Sequence, residues 1–219
     1  MKKSSPLGTL LMLLIACTPL FYTADIYSSL PQTIPTHFDL NGQPNGFSEK
    51  SMLWFIVPFM SVLSIAMYFL IKNLPKIDPK KTAGQSPELY NKIAVILVVF
   101  FCAINLIIAY SSKSGSINIT KLMLPLLGLL FLILGNYMHS IKPNYFVGFR
   151  TPWALENEDN WRKTHQLVGK LWVPGGLLIT ISTLLLPATI GFIVFFLILF
   201  PMIVIPAVFS YRYYKKHQQ

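Results

Sequence analysis

Acidic residues are scarce in this chain: eight Asp and Glu in 219 positions, against eighteen Lys and Arg, for a net charge of +10. Charge of either sign makes up only 12% of the residues, where a soluble domain carries roughly 25%. So few polar groups cannot cover a chain that is 53% hydrophobic, which excludes an ordinary soluble globule. Ionisable residues are missing from the interiors of the long apolar runs, and this argues against a proton- or ion-driven pump with carboxylate relays. No Gly-x-Ser-x-Gly elbow is present, no cysteine neighbours a histidine in a polar loop, and no glycine-rich loop could cradle a phosphate. No His-x-x-x-His or Glu-x-x-His pair sets two metal ligands on one helical face. These absences remove the usual signals of catalysis, so the chain reads as a non-enzyme with no cofactor and no metal. The two cysteines, Cys17 and Cys102, both fall in apolar runs and read as packing residues, not as a disulfide.

What is present is apolar length. A spanning helix needs about 20 apolar residues to cross roughly 30 Å of hydrocarbon. Runs at Pro6–Ala24, Ser51–Ile71, Ile93–Tyr110 and Leu122–His139 have that length. The last run, Leu171–Tyr211, holds 41 residues without a charge, enough for about 60 Å of helix. It must fold back, and Leu186–Gly191 (Leu-Pro-Ala-Thr-Ile-Gly) supplies the turn. The expectation is an all-α polytopic membrane protein of six spans. With both termini cytoplasmic, the inner segments hold 15 of the 18 basic residues, as the positive-inside rule requires. That bias accounts for the net charge without any nucleic acid. Leu14-Ile15-Ala16-Cys17 looks like a lipoprotein cleavage box, but the apolar run continues beyond Cys17 to spanning length.

The expected organisation is one integral membrane domain in four stretches. Residues 1–50 form the first span and an external loop, 51–139 spans two to four, 140–170 a cytoplasmic interfacial segment, and 171–219 the last two spans with a basic tail. The loops Lys72–Lys92 and Ser111–Lys121 read as a solvated basic linker and a small polar connection. Asn105 is the main polar residue deep in a span and suits an interhelical hydrogen bond. Spans one to three and four to six each start with a helix followed by the longest loop of that half, a weak hint of an inverted repeat.

Two loops break the oily pattern. Leu30–Lys50, "LPQTIPTHFDLNGQPNGFSEK", carries Asn41-Gly42 and Asn45-Gly46, both tight-turn signals, and reads as a compact turn or short hairpin. In an extended segment His37 and Asp39 share a face beside Asn41, a weak cation site at best. Lys142–Lys170 crowds aromatics with Arg150, Asn160, Arg162, Thr164 and His165. Pro143–Phe149 reads as an extended aromatic strip. Thr151-Pro152 reads as an N-cap and first helical position. A helix from Pro152 towards Leu171 would place Trp161, His165 and Trp172 near one face. His139, His165 and the carboxylates Glu156, Glu158 and Asp159 could approach one another, though as interfacial hydrogen-bonding groups before metal ligands.

The same two loops carry a resemblance. Ile34-Pro35-Thr36-His37-Phe38 followed by Asn41-Gly42 resembles a short external domain of unknown function. Pro143-Asn144-Tyr145, Gly148-Phe149-Arg150-Thr151-Pro152-Trp153, Trp161 and Thr164-His165 resemble the signature of the SdpI family of bacterial immunity membrane proteins. The resemblance implies protection of the cell against a secreted antimicrobial peptide toxin that collapses the membrane potential. It also implies a receptor that retains a cytoplasmic repressor at the membrane. It transfers no catalytic residue and no cofactor. On that reading the partners are the lipid bilayer, a peptide toxin and a cytoplasmic repressor, and the location is the bacterial cytoplasmic membrane. Ile34, Pro35, His37, Phe38, Asp39, Asn41 and Gly42 become the external reception candidates. Asn144, Tyr145, Gly148, Arg150, Thr151, Pro152, Trp153, Trp161, Thr164 and His165 become the cytoplasmic docking or switch candidates. Pro58, Pro174, Pro201 and Pro206, with Gly175-Gly176, offer places for helices to shift between two arrangements. The alternatives are a small-molecule or lipid transporter, and a membrane enzyme using Arg150 and His165.

Overall fold

The computed structural model describes residues 6–80, 86–114 and 118–217. The basic Met1–Ser5 stretch and parts of the two polar connections, 81–85 and 115–117, lie outside the described residues. Among the described residues, six helices are long and apolar enough to span: α1 (Pro6–Ile26), α2 (Leu53–Ile77), α3 (Pro87–Ser114), α4 (Thr120–Met138), α6 (Glu158–Leu185) and α7 (Ala188–Lys216). A one-turn helix, α5 (Pro152–Glu156), precedes α6, and two strands, β1 (Thr33–Phe38) and β2 (Pro44–Glu49), follow α1. Only 17–33% of each span's most apolar stretch is buried within the protein. The remaining apolar faces have no polar cover, so hydrocarbon is the solvent that suits them. Several helices run a turn or more beyond the expected apolar run, because a helix does not stop where the hydrocarbon does.

The chain divides into two compact units, residues 1–71 with 92–123, and residues 72–91 with 124–219. In the first, β1 and β2 form an antiparallel hairpin with Ile34 opposite Ser48 and Pro35 opposite Phe47. The loop is closed by Asp39, whose carboxylate accepts the Asn41 and Gln43 amides at 2.9 and 2.8 Å. Gly42 sits at φ 74°, a conformation that a side chain disfavours. Ile34 plugs the hairpin into a cluster of Ile26, Leu30, Leu53, Val57 and Ala109 from the ends of α1, α2 and α3. Deeper in, the Asn105 amide donates to Val57 O at 3.0 Å and Ser61 Oγ at 3.3 Å, the interhelical bond its position suggests.

In the second unit, α4 and α6 approach through glycines. A Cβ on Gly176 would lie 2.4 Å from Leu132 N, and one on Gly128 would lie 2.8 Å from Gly176 O. One on Gly135 would meet the Trp172 Cβ at 2.7 Å. Small residues let backbones touch where lipid supplies no hydrophobic drive for association. On the other side of α6, Met202 fills the space over Gly175 and joins Leu124, Ile179 and Phe195 in a core. The Met202 carbonyl is the one that Pro206 deprives of its helical donor, four residues on. Trp172 Nε1 donates to it at 3.1 Å, the kind of re-satisfaction that makes proline tolerable in a span. The turn between α6 and α7 is only Leu186-Pro187. Ala188–Gly191, expected as part of that turn, already belong to α7.

Candidate functional site

The segment 141–170 lies wholly in the second unit and is built around buried amides. Asn144, 1% exposed, bends the chain after α4. Its Nδ2 donates to the Lys142 and Val147 carbonyls at 2.9 and 2.8 Å. Its Oδ1 accepts the Phe146 and Val147 amides at 2.8 and 2.6 Å. Pro143–Phe149 is therefore a tight, self-bonded turn and not the extended strip expected from its aromatics. Tyr145 N–H donates to Asp78 Oδ2 at 3.2 Å, and Lys80 N–H to Asp78 Oδ1 at 2.9 Å. Lys80 Nζ reaches the Leu155 carbonyl. Asp78 is 1% exposed, so this part of the 72–92 stretch is packed into the site, contrary to the solvated linker expected from its lysines.

Gly148 explains the Gly-Phe-Arg-Thr-Pro-Trp string. It holds φ 112°, and a Cβ there would lie 2.4 Å from His165 Nε2 and 3.3 Å from Trp161 Cζ2. Phe149 N–H donates to His165 Nε2 at 3.0 Å, so that nitrogen is the acceptor. The other, Nδ1, faces the Trp161 carbonyl at 2.9 Å and must carry the hydrogen. The geometry thus fixes a neutral Nδ1–H tautomer with both nitrogens occupied. The ring stacks on Trp161 at 4.1 Å, and Trp161 Nε1 donates to Ile141 O at 2.8 Å. Arg150 is exposed and donates to Tyr145 O at 2.5 Å.

Thr151 and Pro152 start a helix as expected, with Ala154 N–H donating to Thr151 Oγ1 at 3.3 Å. That helix does not run to Leu171. It ends at Glu156, and Asn157, at φ −132° and ψ 118°, restarts it by accepting the Asn160 amide at 2.9 Å. Glu158 and Asp159 therefore stand in the first turn of α6, where the helix dipole favours negative charge, while Glu156 ends α5. Trp161, Thr164 and His165 lie in the first two turns of the spanning helix itself.

The break lets Asn160, 0% exposed, join three helices. Its Nδ2 donates to Trp153 O and Ser210 O at 3.3 and 2.9 Å. Its Oδ1 accepts Thr164 Oγ1 and Ser210 Oγ, both at 3.0 Å. Ser210 Oγ in turn lies 2.7 Å from Thr151 Oγ1, so the hydroxyl chain runs from Thr151 through Ser210 to Asn160. The Trp153 ring meets Tyr211 edge-on at 5.2 Å. Sequence reasoning left Ser210 and Asp78 out; a lone serine in an apolar run and a lone acid among lysines were the available signals.

In the first unit the hairpin brings the external candidates together but does not assemble a cation site. His37 Nδ1 is 2.5 Å from Asn45 Oδ1, and the Asp39 carboxylate is spent on its own loop. Asn118 Nδ2 donates to Asn41 O at 2.6 Å and packs where a Gly42 side chain would go. Ile34 and Pro35 are buried and Phe38 half-buried, whereas Leu40 and Phe47 stand out at 56% and 61% exposure. Those two exposed apolar residues were missed. His139 is exposed and His165 buried, and no group of three His, Cys, Asp or Glu able to hold a metal occurs among the described residues.

Residues 140–210, which hold this network apart from Asp78, Lys80 and Tyr211, match the model of the SdpI/YfhL protein family. The segment thus resembles the SdpI/YfhL family. A second model, a domain of unknown function (DUF1648), matches residues 14–62, covering most of α1, the hairpin and the start of α2. Immunity protein SdpI of Bacillus subtilis (strain 168) is 25% identical to the chain over 210 residues, covering 94% of the chain and 96% of that relative. No solved structure matches. With six spanning helices, this SdpI-like chain is a multi-pass protein of the bacterial cytoplasmic membrane.

Proposed function

We propose that the chain is a membrane immunity protein that protects its cell from a secreted antimicrobial peptide toxin, and that it is not an enzyme. One observation carries the reading: the likeness to Immunity protein SdpI extends over 94% of this chain and 96% of the relative, so both loop motifs fall within it. The distribution of Lys and Arg orients the protein with both termini in the cytoplasm. That places the hairpin outside, where toxin arrives, and residues 141–170 inside.

The hairpin receives the toxin. Its exposed Leu40 and Phe47 offer an amphipathic peptide an apolar contact, and Asp39, Asn41 and Gly42 hold the loop that presents them. The inner segment reports, by docking a cytoplasmic repressor through exposed Arg150 and Tyr145. Gly148, Thr151, Pro152, Trp153, Trp161, Thr164 and His165 shape that surface and do not contact the repressor. Expression in a strain sensitive to membrane-depolarising peptides should raise survival. Killing that stays unchanged across several such peptides overturns the immunity reading. The division of labour has its own test. Asp39→Ala should lower protection and leave repressor capture at the membrane intact, while Arg150→Ala should do the reverse. Arg150 is the cleaner probe than buried Trp161, whose loss would disturb folding. Equal loss of both functions at normal expression would refute the division.

A further inference from the structure

We infer that the second unit carries a binding site for an anionic phospholipid, in the groove between α6 and α7 at the end where α6 begins. The groove has a volume of about 760 Å³, and none of its ten lining residues is acidic. Three cations stand at its mouth: Lys163 on α6, and Arg212 and Lys216 on α7. None of them has a carboxylate partner among the described residues, where the one ion pair is Arg162–Asp159. Lys163 Nζ is held there by Tyr213, donating to its hydroxyl at 3.3 Å and lying 4.6 Å from the ring centre.

The two helices present their residues in the same order of depth. On α6, Leu167 lies one turn inward from Lys163; on α7, Val208 lies one turn inward from Arg212, with Ile205 next. Residues three and four apart share a helix face, so each helix offers the groove a charged end and an apolar run below it. A phospholipid has that same profile, with a phosphate above and an acyl chain beneath. Basic pockets between spanning helices suit anionic headgroups, and long cationic side chains reach the interface while their stems lie along apolar surface. A soluble anion would use the cations and leave the apolar wall empty; a zwitterionic lipid would place its own ammonium against three like charges.

The test uses the full chain purified in mild detergent, with lipid retention read by native mass spectrometry. Phosphatidylglycerol and phosphatidylcholine of identical chains are offered in equal amounts. Phosphatidylglycerol should be retained preferentially. Arg212→Gln should weaken its binding about 5-fold, and Arg212→Gln with Lys216→Gln roughly 30-fold, from the usual contribution of a basic residue at an anionic surface. Lys170→Gln, which changes a cation on α6 outside the groove, should leave retention unchanged. Equal retention of the two lipids, or an equal loss with Lys170→Gln, overturns the site. So does displacement of long-chain phosphatidylglycerol by millimolar inorganic phosphate, which would make it a phosphate site with no use for the apolar wall. The immunity assay is independent of all these outcomes.

Discussion

Gly148→Ala should destabilise the protein by roughly 2–4 kcal/mol, in two separable parts. The first is backbone. At φ 112° an alanine is held in a sparsely populated region, at a cost of about 1–3 kcal/mol. The second is steric. The new methyl would stand 2.4 Å from His165 Nε2, so the imidazole must move. It then loses the 3.0 Å bond from Phe149 N–H, worth about 0.5–1.5 kcal/mol. A double-mutant cycle separates them. In a His165→Ala background the steric part is already gone, so Gly148→Ala should cost only its backbone share there, leaving a coupling of about 1 kcal/mol. Unfolding in mixed micelles as denaturing detergent is added, followed by tryptophan emission, gives the four stabilities. A cost of Gly148→Ala below about 0.5 kcal/mol would refute the backbone argument. Equal costs in both backgrounds would refute the claim that Gly148 makes room for the His165 ring.

Three further pairs of variants probe other parts of the second unit with the same unfolding measurement. Asn160→Leu removes four side-chain hydrogen bonds and should cost about 3 kcal/mol, whereas Ser210→Ala should cost about 1 kcal/mol; the reverse order would show that Ser210 and not Asn160 is the hub. Gly176→Leu forces α4 from α6 and should cost about 2–3 kcal/mol, while Leu177→Ala, on a face 47% exposed to lipid, should stay within about 0.5 kcal/mol. Trp172→Phe keeps the ring against Phe131 but removes the donor to Met202 O, and should cost about 0.6–1 kcal/mol; a Trp172→Phe, Pro206→Ala double variant should recover most of it, because replacing the proline restores a backbone donor to that carbonyl.

The spans were legible because crossing a membrane demands length and apolarity, and both are written locally. The hairpin was legible for a similar reason, since Asn41-Gly42 specifies a reversal over a few residues, although the second turn signal, Asn45-Gly46, lies within β2, where Gly46 pairs with His37. Thr151-Pro152 announced a helix start in the same way. What escaped depended on neighbours distant in the chain. Asn157 looked like one more polar residue in a helix, and only the demand of Asn160 for partners on α7 gives the break a purpose. Asp78 reads as a solvated acid among lysines until Tyr145 and Lys80 are brought to it. His165 was legible as important but not as neutral, because its tautomer is set by the Phe149 amide sixteen positions away.

The pair α6 and α7 is fastened at both ends. At one end the Leu186-Pro187 turn allows the helices no separation, and at the other Asn160 is bonded to both the carbonyl and the hydroxyl of Ser210. A pair tied this way cannot open like scissors. It can only bow, and the places to bow are Pro174 in α6 and Pro201 and Pro206 in α7, all between the ties. The donor from Trp172 to the carbonyl that Pro206 leaves free then acts as a stay across the arch, and the strain of any bend would be felt first at the Asn160 knot from which residues 141–170 hang.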